Sequence, residues 1–412
     1  MASSSKTKRR FEPSPPQWVL LGFAAMIAAG TALLALPAAA ESGGSIGFAD
    51  ALFTAVSAVC VTGLTVVGTG ETFSLFGEIV ILVLMQLGGL GFMTFAVVAA
   101  IMLGKRIGIK ERLIIQEATH SPGVHGLVRL SLGIFAIAAL FEGLGFIVLA
   151  ARLAFVTDPG AAAYQALFHA VSAFNNAGFT LWPDGLKPFA ADPAVSGTVA
   201  VLFTAGGLGF PVMMDLWRKR NWRDLSLNSK IALMATGGLI AAGFLAVFGL
   251  ELLNPAAYRA ATWGERVWIA VFQSLAPRSS GFAIADLSSF LASTQFFLMF
   301  LMFVGANSGS TGGGIKTNTF IVIALAVYNV LRGREQVTIF GRRIPHDLVL
   351  RALAVILFAA GAIVFAAFLL TITEPEQEFF ALLFEAASAF STVGLSLGVT
   401  PELSPAGKMI VA

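Results

Sequence analysis

Long apolar runs with almost no charge constrain this chain more than any other feature of its sequence. An α-helix needs about 20 apolar residues to cross the hydrocarbon core of a bilayer. The candidate spans are 17–40, 76–103, 127–154, 193–216, 229–253, 290–331 and 347–371. Charged residues make up only 12% of the chain, and its mean hydropathy is +0.84. These features predict an all-α polytopic membrane protein.

Basic residues fall in alternate connections between these runs. The N-terminal segment 1–16 and three loops hold 19 of the 26 Lys and Arg residues. They are Lys6, Lys8, Arg9 and Arg10, then Lys105, Arg106, Lys110, Arg112 and Arg129, then Arg218, Lys219, Arg220, Arg223 and Lys230, and finally Arg332, Arg334, Arg342, Arg343 and Arg351. By the positive-inside rule, the N-terminus and these loops are expected to be cytoplasmic. The first run is longer than the core of a secretory signal, so it is interpreted as a retained span.

One short motif recurs four times on the opposite side. The copies read LFTAVSAVCVTGL, LFHAVSAFNNAGF, WIAVFQSLAPRSSGF and LFEAASAFSTVGL. Their shared glycines, Gly63, Gly178, Gly281 and Gly394, are 115, 103 and 113 residues apart. The third copy is the most divergent, because its Phe272 is one residue closer to the glycine than the equivalent Phe in the other copies.

The recurrence predicts a unit of span, short helix, glycine turn and span, repeated four times after the cytoplasmic segment 1–16. The predicted units are 17–112, 113–224, 225–335 and 336–412. The fourth reaches only the first residues of its second helix, which begins near Pro405, so this helix is expected to continue past Ala412.

Four half-crossing segments around one axis would present a ring of backbone carbonyls, which can replace the hydration shell of a cation. The short helices would add their negative C-terminal ends, and glycine permits backbone torsions that a side chain forbids. The alternative is that these glycines only let helices pack closely. The predicted potassium-binding filter residues are Val61, Thr62, Gly63, Asn176, Ala177, Gly178, Ser279, Ser280, Gly281, Thr392, Val393 and Gly394.

The run 290–331 is too long for one crossing, at about 63 Å if fully helical, against about 30 Å of hydrocarbon. Its glycine-rich middle, GANSGSTGGGIK, is therefore predicted to break it and to form a movable gating loop below the filter. The residues concerned are Gly305, Ala306, Asn307, Ser308, Gly309, Ser310, Thr311, Gly312, Gly313, Gly314 and Lys316. A phosphate cradle, a flexible surface loop and a packed kink are the alternatives. A phosphate loop would follow a strand and would have its lysine directly after the last glycine.

Three charged residues have two interpretations each. Lys316 lies either at an inner cavity or near the cytoplasm. Arg278 is expected behind the filter, paired with Glu385 or Glu265, unless it is solvated. Glu142 either serves a function within the membrane or bonds across helices. A coupled carrier and an enzyme are the rival classes, but the spans contain few polar ligands and no catalytic pair.

The motifs VTGL, NAGF, SSGF and TVGL, with the GSTGGGIK loop, resemble the Trk/Ktr/HKT superfamily of potassium transporters, and most closely its bacterial Ktr-type membrane subunits. The resemblance implies a pseudo-fourfold potassium pore of M1–P–M2 repeats in the inner (plasma) membrane and no enzymatic activity. It also implies a homodimer in the lipid bilayer, a cytosolic ring of nucleotide-binding RCK-type subunits, and no nucleic acid. No covalent cofactor is expected. Potassium would occupy the filter, and sodium dependence or sodium permeation is the alternative.

Overall fold

Helices make up most of the chain in the computed structural model, which describes residues 14–91, 94, 127–254, 262–334, 338–340 and 342–412. The α-helices are α1 (Pro15–Leu34), α2 (Phe48–Val59), α3 (Thr69–Thr72), α4 (Leu75–Gly89), α5 (Leu127–Leu153), α6 (Pro159–Phe174), α7 (Pro193–Leu208), α8 (Phe210–Arg218), α9 (Leu227–Glu251), α10 (Trp263–Leu275), α11 (Ala292–Phe303), α12 (Thr317–Leu331), α13 (His346–Thr373), α14 (Phe379–Phe390) and α15 (Pro405–Val411). Short 3-10 helices cover Pro37–Ala39, Lys187–Phe189, Trp222–Asp224, Ala276–Arg278, Leu287–Ser289 and Thr400–Glu402.

The prediction of an all-α chain needs one small correction. Strands β1 (Thr338–Ile339) and β2 (Arg342–Arg343) form an antiparallel hairpin between α12 and α13. In its register Thr338 pairs with Arg343 and Ile339 pairs with Arg342. The hairpin lies in one of the basic connections, where polar residues interrupt the apolar helices.

Local capping residues fix where several helices begin. The side chain of Asp158 accepts hydrogen bonds from the backbone N–H groups of Gly160 and Ala161 at the start of α6. Asp192 caps α7 in the same way, and a proline follows each aspartate as the first helical residue. These side chains satisfy N–H groups that have no partner inside the helix, and proline has no such group to satisfy.

Four helices in the described part of the chain are long and apolar enough to cross a membrane, namely α1, α5, α9 and α13. The predicted span 193–216 is not one straight helix, because α7 and α8 meet at Gly209 with a bend of 92°. The predicted break in 290–331 is confirmed, since α11 ends at Phe303 and α12 begins at Thr317.

The long helices alternate with short ones along the chain. The short helices α2, α6, α10 and α14 each follow a long helix and pack against it. The equivalent phenylalanines of the four motifs are all buried, and they are Phe53, Phe168, Phe272 and Phe384. The largest hydrophobic core joins the middle of the chain, from α5 to α11, while α1, α2 and α4 share a second core and α13 to α15 a third.

Some expectations fall on residues that the structure does not describe. The second half of the predicted span 76–103, most of the first basic loop and the predicted unit boundary at 112/113 lie outside the described residues. The N-terminal basic residues and the boundary at 335/336 do so too. The boundary at 224/225 falls between α8 and α9, and α1 begins two residues before the predicted start of the first unit.

Candidate functional site

The four motif glycines lie next to one another in the folded chain, although more than a hundred residues separate each from the next. Each glycine faces the carbonyl oxygen that comes just before the next glycine, and the fourth faces the first. Measured from a Cβ placed on each glycine, these contacts join Gly63 to Ala177 (2.5 Å), Gly178 to Ser280 (2.9 Å), Gly281 to Val393 (2.7 Å) and Gly394 to Thr62. The four segments therefore close into a ring.

The ring requires glycine for two reasons. The backbone φ angles of Gly63, Gly178, Gly281 and Gly394 are +85°, +71°, +68° and +88°, a region that L side chains rarely adopt. A side chain at any of them would also collide with the neighbouring segment. Three residues located two positions before a ring glycine have positive φ as well, namely Val61, Asn176 and Thr392. The chain holds this costly conformation at equivalent places.

Identical hydrogen bonds hold three of the four segments to the ends of their short helices. The residue before each glycine donates its backbone N–H to the carbonyl of a serine five residues earlier, and the pairs are Thr62 to Ser57 (2.8 Å), Ala177 to Ser172 (2.8 Å) and Val393 to Ser388 (2.9 Å). The serine hydroxyls also bond to their own segments. The Ser57 hydroxyl accepts from Gly63 N–H (3.1 Å), as the Ser388 hydroxyl does from Gly394 N–H (3.1 Å).

The third segment has a different backbone, as its sequence divergence suggested. A 3-10 helix, Ala276–Arg278, follows α10 directly, and Ser279 has an extended φ of 168° instead of a positive one. The Ser280 N–H and hydroxyl both donate to the Ala276 carbonyl, at 3.1 and 3.2 Å. The tighter 3-10 turn compensates for the missing residue, so Gly281 still reaches the ring.

All four short helices end directly before the ring. Helix α2 ends at Val59, α6 at Phe174, α10 at Leu275 and α14 at Phe390, each within a few residues of its ring glycine. The C-terminal ends of helices carry partial negative charge. The electrostatic field at the ring therefore favours a cation.

Two cavities lie on opposite sides of the ring. An inner cavity of about 280 Å³ is lined by Cys60, Val61 and Thr392, which precede their ring glycines. An outer cavity of about 280 Å³ is lined by Gly63 and Gly394 and by residues that follow them. The residues before the ring glycines thus line one cavity, and the glycines with the residues that follow them line the other.

Several glycines allow other segments of the chain to approach the inner side of the ring closely. Gly88 lies against the Val59 carbonyl at the end of α2, and Gly206 lies against the Phe174 carbonyl at the end of α6. In the third unit Gly312 and Gly313 of the 305–316 loop take the comparable place, against Ser279 and Thr392. A Cβ at any of these glycines would overlap its neighbour, so the close approach depends on the absence of a side chain.

The loop 305–316 is largely buried directly beneath the ring, which contradicts the surface-loop alternative. Its backbone N–H groups at Asn307 and Thr311 donate to the carbonyls of Gly207 (3.1 Å) and Gly206 (3.3 Å). The Thr311 hydroxyl donates to the Phe174 carbonyl (3.2 Å) and shares a 2.6 Å hydrogen bond with the Asn176 side chain. The loop is therefore docked on the second ring segment.

The remaining loop contacts also argue against a phosphate cradle. Helix α11, not a strand, precedes the loop. The Lys316 ammonium donates to the Gly312 carbonyl (2.5 Å), and Lys316 lines the inner cavity. Lys316 is expected either at an inner cavity or near the cytoplasm, and in the structure it lies at the cavity.

Arg278 is buried beneath the third segment, but the prediction that it pairs with a carboxylate is wrong. Its Nη2 donates to the Thr317 hydroxyl (3.1 Å) and approaches the Gly305 carbonyl (3.5 Å). Glu385 instead accepts hydrogen bonds from Ser396 and Thr400, and Glu265 caps α10 through Thr262. The arginine thus ties the two ends of the 305–316 loop to the third ring segment.

Glu142 lies in a polar network that the sequence did not reveal as a unit. Its carboxylate accepts from the Gln86 amide (3.0 Å) and the Asn175 amide (3.1 Å), and Asn175 also donates to Gln86 Oε1 (2.6 Å). Asn175 directly precedes Asn176, which the sequence predicts as a filter residue. The expectation that Glu142 bonds across helices is confirmed. Polar residues inside apolar helices were the only sequence signal for this network.

These features together define a class, the helical membrane proteins in which short helices end at one ring of glycine-containing segments. The family follows from sequence comparison, since residues 20–412 match the family model described as TrkH, cation transport protein. The chain belongs to the TrkH family of cation transport proteins, which confirms the family that its motifs indicated.

Individual relatives agree with this membership. The chain is 43% identical to the Ktr system potassium uptake protein B of Bacillus subtilis, over 97% of this chain and 89% of the relative. It is 41% identical to the protein of the same name from Vibrio alginolyticus, over 96% of this chain and 87% of the relative. It is 36% identical to the potassium/sodium uptake protein NtpJ of Enterococcus hirae, over 98% of this chain and 90% of the relative.

The fold is also that of a solved structure. The crystal structure of the potassium transporter TrkH from Vibrio parahaemolyticus matches with a TM-score of 0.75 and 18% sequence identity, covering 98% of this chain and 82% of that one. At this identity the match describes the fold.

Proposed function

We propose that this chain is the membrane pore subunit of a potassium uptake system. The ring of four glycine segments would be its selectivity filter, and the 305–316 loop would be its gate. The single observation that carries the proposal is the closed ring between two cavities. Relatives that are 43% and 41% identical over nearly the whole chain are named as potassium uptake proteins, which supports potassium as the ion.

The filter would select by replacing water with carbonyl oxygens. The proposed ligands are the backbone carbonyls of the twelve filter residues, three from each segment. A cation at the ring would meet the carbonyls of four chains at once and the negative ends of four short helices. The shared hydrogen-bond pattern of three segments supports a pseudo-fourfold arrangement of M1–P–M2 units with the boundaries expected from the sequence.

The loop would control passage below the filter. It lies between the ring and the inner cavity, and its N–H groups donate hydrogen bonds to carbonyls of the second unit that hold it there. The inner cavity offers room into which the loop could withdraw. Displacing it would clear the path without moving any filter carbonyl, because the filter belongs to other segments.

The remaining parts of the proposal concern location and partners. We place the protein in the plasma membrane with a cytoplasmic N-terminus, following the distribution of basic residues. The basic connections around Arg218 and Arg332 would form the cytoplasmic face. That face suits a regulatory ring of RCK-type subunits, and the membrane subunit would act as a homodimer.

Sodium permeation or sodium coupling is the second candidate function. It is favoured by one observation, the 36% identity to a protein named for potassium and sodium uptake. Glycine at all four ring positions favours potassium. The test is ion flux into liposomes that contain only this chain, with potassium or sodium as the permeating ion. Equal flux of both ions would contradict a potassium filter. No flux of either ion, even after deletion of residues 306–313, would contradict the pore.

A further inference from the structure

An apolar groove lies on the surface of the helix bundle, and none of the ring residues line it. Its volume is about 810 Å³, and it runs between α5, α7 and α8. Its lining includes the small residues Gly133, Ala136 and Ala205 and the flexible residues Met213 and Met214. It has one basic residue at its rim, Arg218.

The groove results from the break between α7 and α8. At Gly209 the chain turns by 92°, so α8 leaves the line of α7 and opens a space beside α5. The Met214 methyl lies so close to Gly133 that a Cβ there would overlap it. The turn and the small residues together create the groove, and no helix in the described part of the chain fills it.

Charge and aromatic residues collect at one end of this groove. Arg218 and Trp217 are exposed at the end of α8, and Trp217 is 77% exposed. The nearby carboxylate is already engaged, because Asp215 forms an ion pair with Lys219 (2.9 Å) and accepts from the Ser229 hydroxyl (2.8 Å). Among the described residues, no carboxylate lies within ion-pair distance of Arg218.

We propose that this groove binds an anionic phospholipid. Its acyl chain would occupy the apolar cleft, and its phosphate would bond to the Arg218 guanidinium. The complementarity is specific to an amphiphile with a negative head, since the groove is apolar along its length and basic at one end. Arginine matches phosphate geometry with two parallel hydrogen bonds, and exposed tryptophan favours the level of the lipid head groups.

The lipid would also influence the loop, an extension that depends on the proposed function. The Phe210 N–H at the start of α8 donates to the Gly309 carbonyl (2.9 Å), and a Cβ on Gly309 would lie 2.8 Å from Pro211. Helix α8 therefore has the groove on one side and the loop at its first residues. A lipid bound in the groove would therefore bias the position of α8. Because α8 contacts the loop, the lipid would also bias the position of the loop.

Lipid retention tests the binding site without reference to transport. The full chain is purified, stripped of lipid and exposed to phosphatidylglycerol or phosphatidylcholine, and native mass spectrometry counts the lipids that remain bound. Arg218→Gln should weaken retention of phosphatidylglycerol about fivefold, the factor that corresponds to ~1 kcal/mol per basic residue near anionic lipid. Arg220→Gln is the matched control, because Arg220 has the same charge on the same segment but does not line the groove.

A second pair of variants tests the apolar part. Ala136→Trp fills the groove and should lower the retention of both lipids, whereas Ala139→Trp, exposed on the same helix outside the groove, should not. Inorganic phosphate should not compete, because the acyl chain supplies much of the binding. Equal phosphatidylglycerol retention by Arg218→Gln and Arg220→Gln would overturn the proposal. So would a change of oligomeric state in Ala136→Trp with unchanged lipid retention, which would make the groove an interface between two copies.

Flux then tests the coupling to the loop. In liposomes, phosphatidylglycerol should change the potassium flux of the parent and of Arg220→Gln, and should change that of Arg218→Gln severalfold less. If the parent conducts in phosphatidylcholine alone, the pore is intact and only the lipid effect is in question. If retention responds to Arg218→Gln but flux does not, the site stands and the coupling to the loop is wrong.

Discussion

Replacing Gly313 with alanine should loosen the loop beneath the filter and raise potassium flux in the absence of any partner. The added Cβ would overlap the Thr392 hydroxyl and would lie 2.8 Å from the Ser391 carbonyl oxygen of the fourth segment. The Gly313 backbone itself tolerates alanine, because its φ is not positive. The perturbation is therefore steric, and it acts only while the loop is docked.

The size of the effect follows from that overlap. Normal contact requires the loop to move away from the Ser391 carbonyl by about 0.6 Å, and further from Thr392. Overpacking of this kind costs about 1–3 kcal/mol. If this cost falls on the docked position alone, the ratio of undocked to docked loops rises about 5- to 150-fold. We expect at least a fivefold rise in flux until the open pore itself becomes limiting.

The assay is rubidium or potassium flux into liposomes that contain only this chain. Gly361→Ala is the matched control, because a Cβ at Gly361 in α13 meets no atom within 4 Å. Deletion of residues 306–313 gives the flux of a chain without the obstruction. Gel filtration checks that each variant is folded. A folded Gly313→Ala protein with flux no higher than that of Gly361→Ala would refute the argument that docking of the loop closes the pore.

Three further results are expected. Gly63→Ser should reduce discrimination of potassium against sodium, because the added Cβ would lie 2.5 Å from the Ala177 carbonyl oxygen and displace it. The loss is about tenfold if this shift costs potassium ~1.4 kcal/mol more than sodium, and an unchanged flux ratio would exclude Gly63 from the filter. Thr311→Val keeps the shape of the side chain but loses the hydrogen bonds to Phe174 and Asn176. At roughly 0.5–1.5 kcal/mol for each bond, basal flux should rise by at least about fivefold, and flux equal to the parent's would show that these bonds do not hold the loop. Glu142→Ala should lower the free energy of unfolding by about 1–3 kcal/mol, because it leaves buried amides without an acceptor. Glu142→Gln should lower it less. Equal melting temperatures of the parent and both variants in detergent would contradict this.

Much of the architecture could be predicted from the sequence, because the features concerned are local. The length of an apolar run determines whether a helix can cross a bilayer, and the long runs at 127–154, 229–253 and 347–371 correspond closely to α5, α9 and α13. The four motifs located the glycines with positive φ, since glycine alone adopts that conformation at little cost. The break in 290–331 followed from simple length, and the family followed from the motifs.

The features that only the tertiary structure determines depend on contacts between residues far apart in the chain. The order of the ring, the hydrogen bond from the Phe210 N–H to the Gly309 carbonyl and the docking of Thr311 on Phe174 all join different units. The sequence could not identify the partners of Arg278, because a carboxylate and a hydroxyl are equally plausible until the packing is known. The link from Glu142 to Asn175 is of the same kind. Torsional preference and hydropathy belong to single residues and short segments, whereas a buried hydrogen bond exists only when folding brings its two groups together.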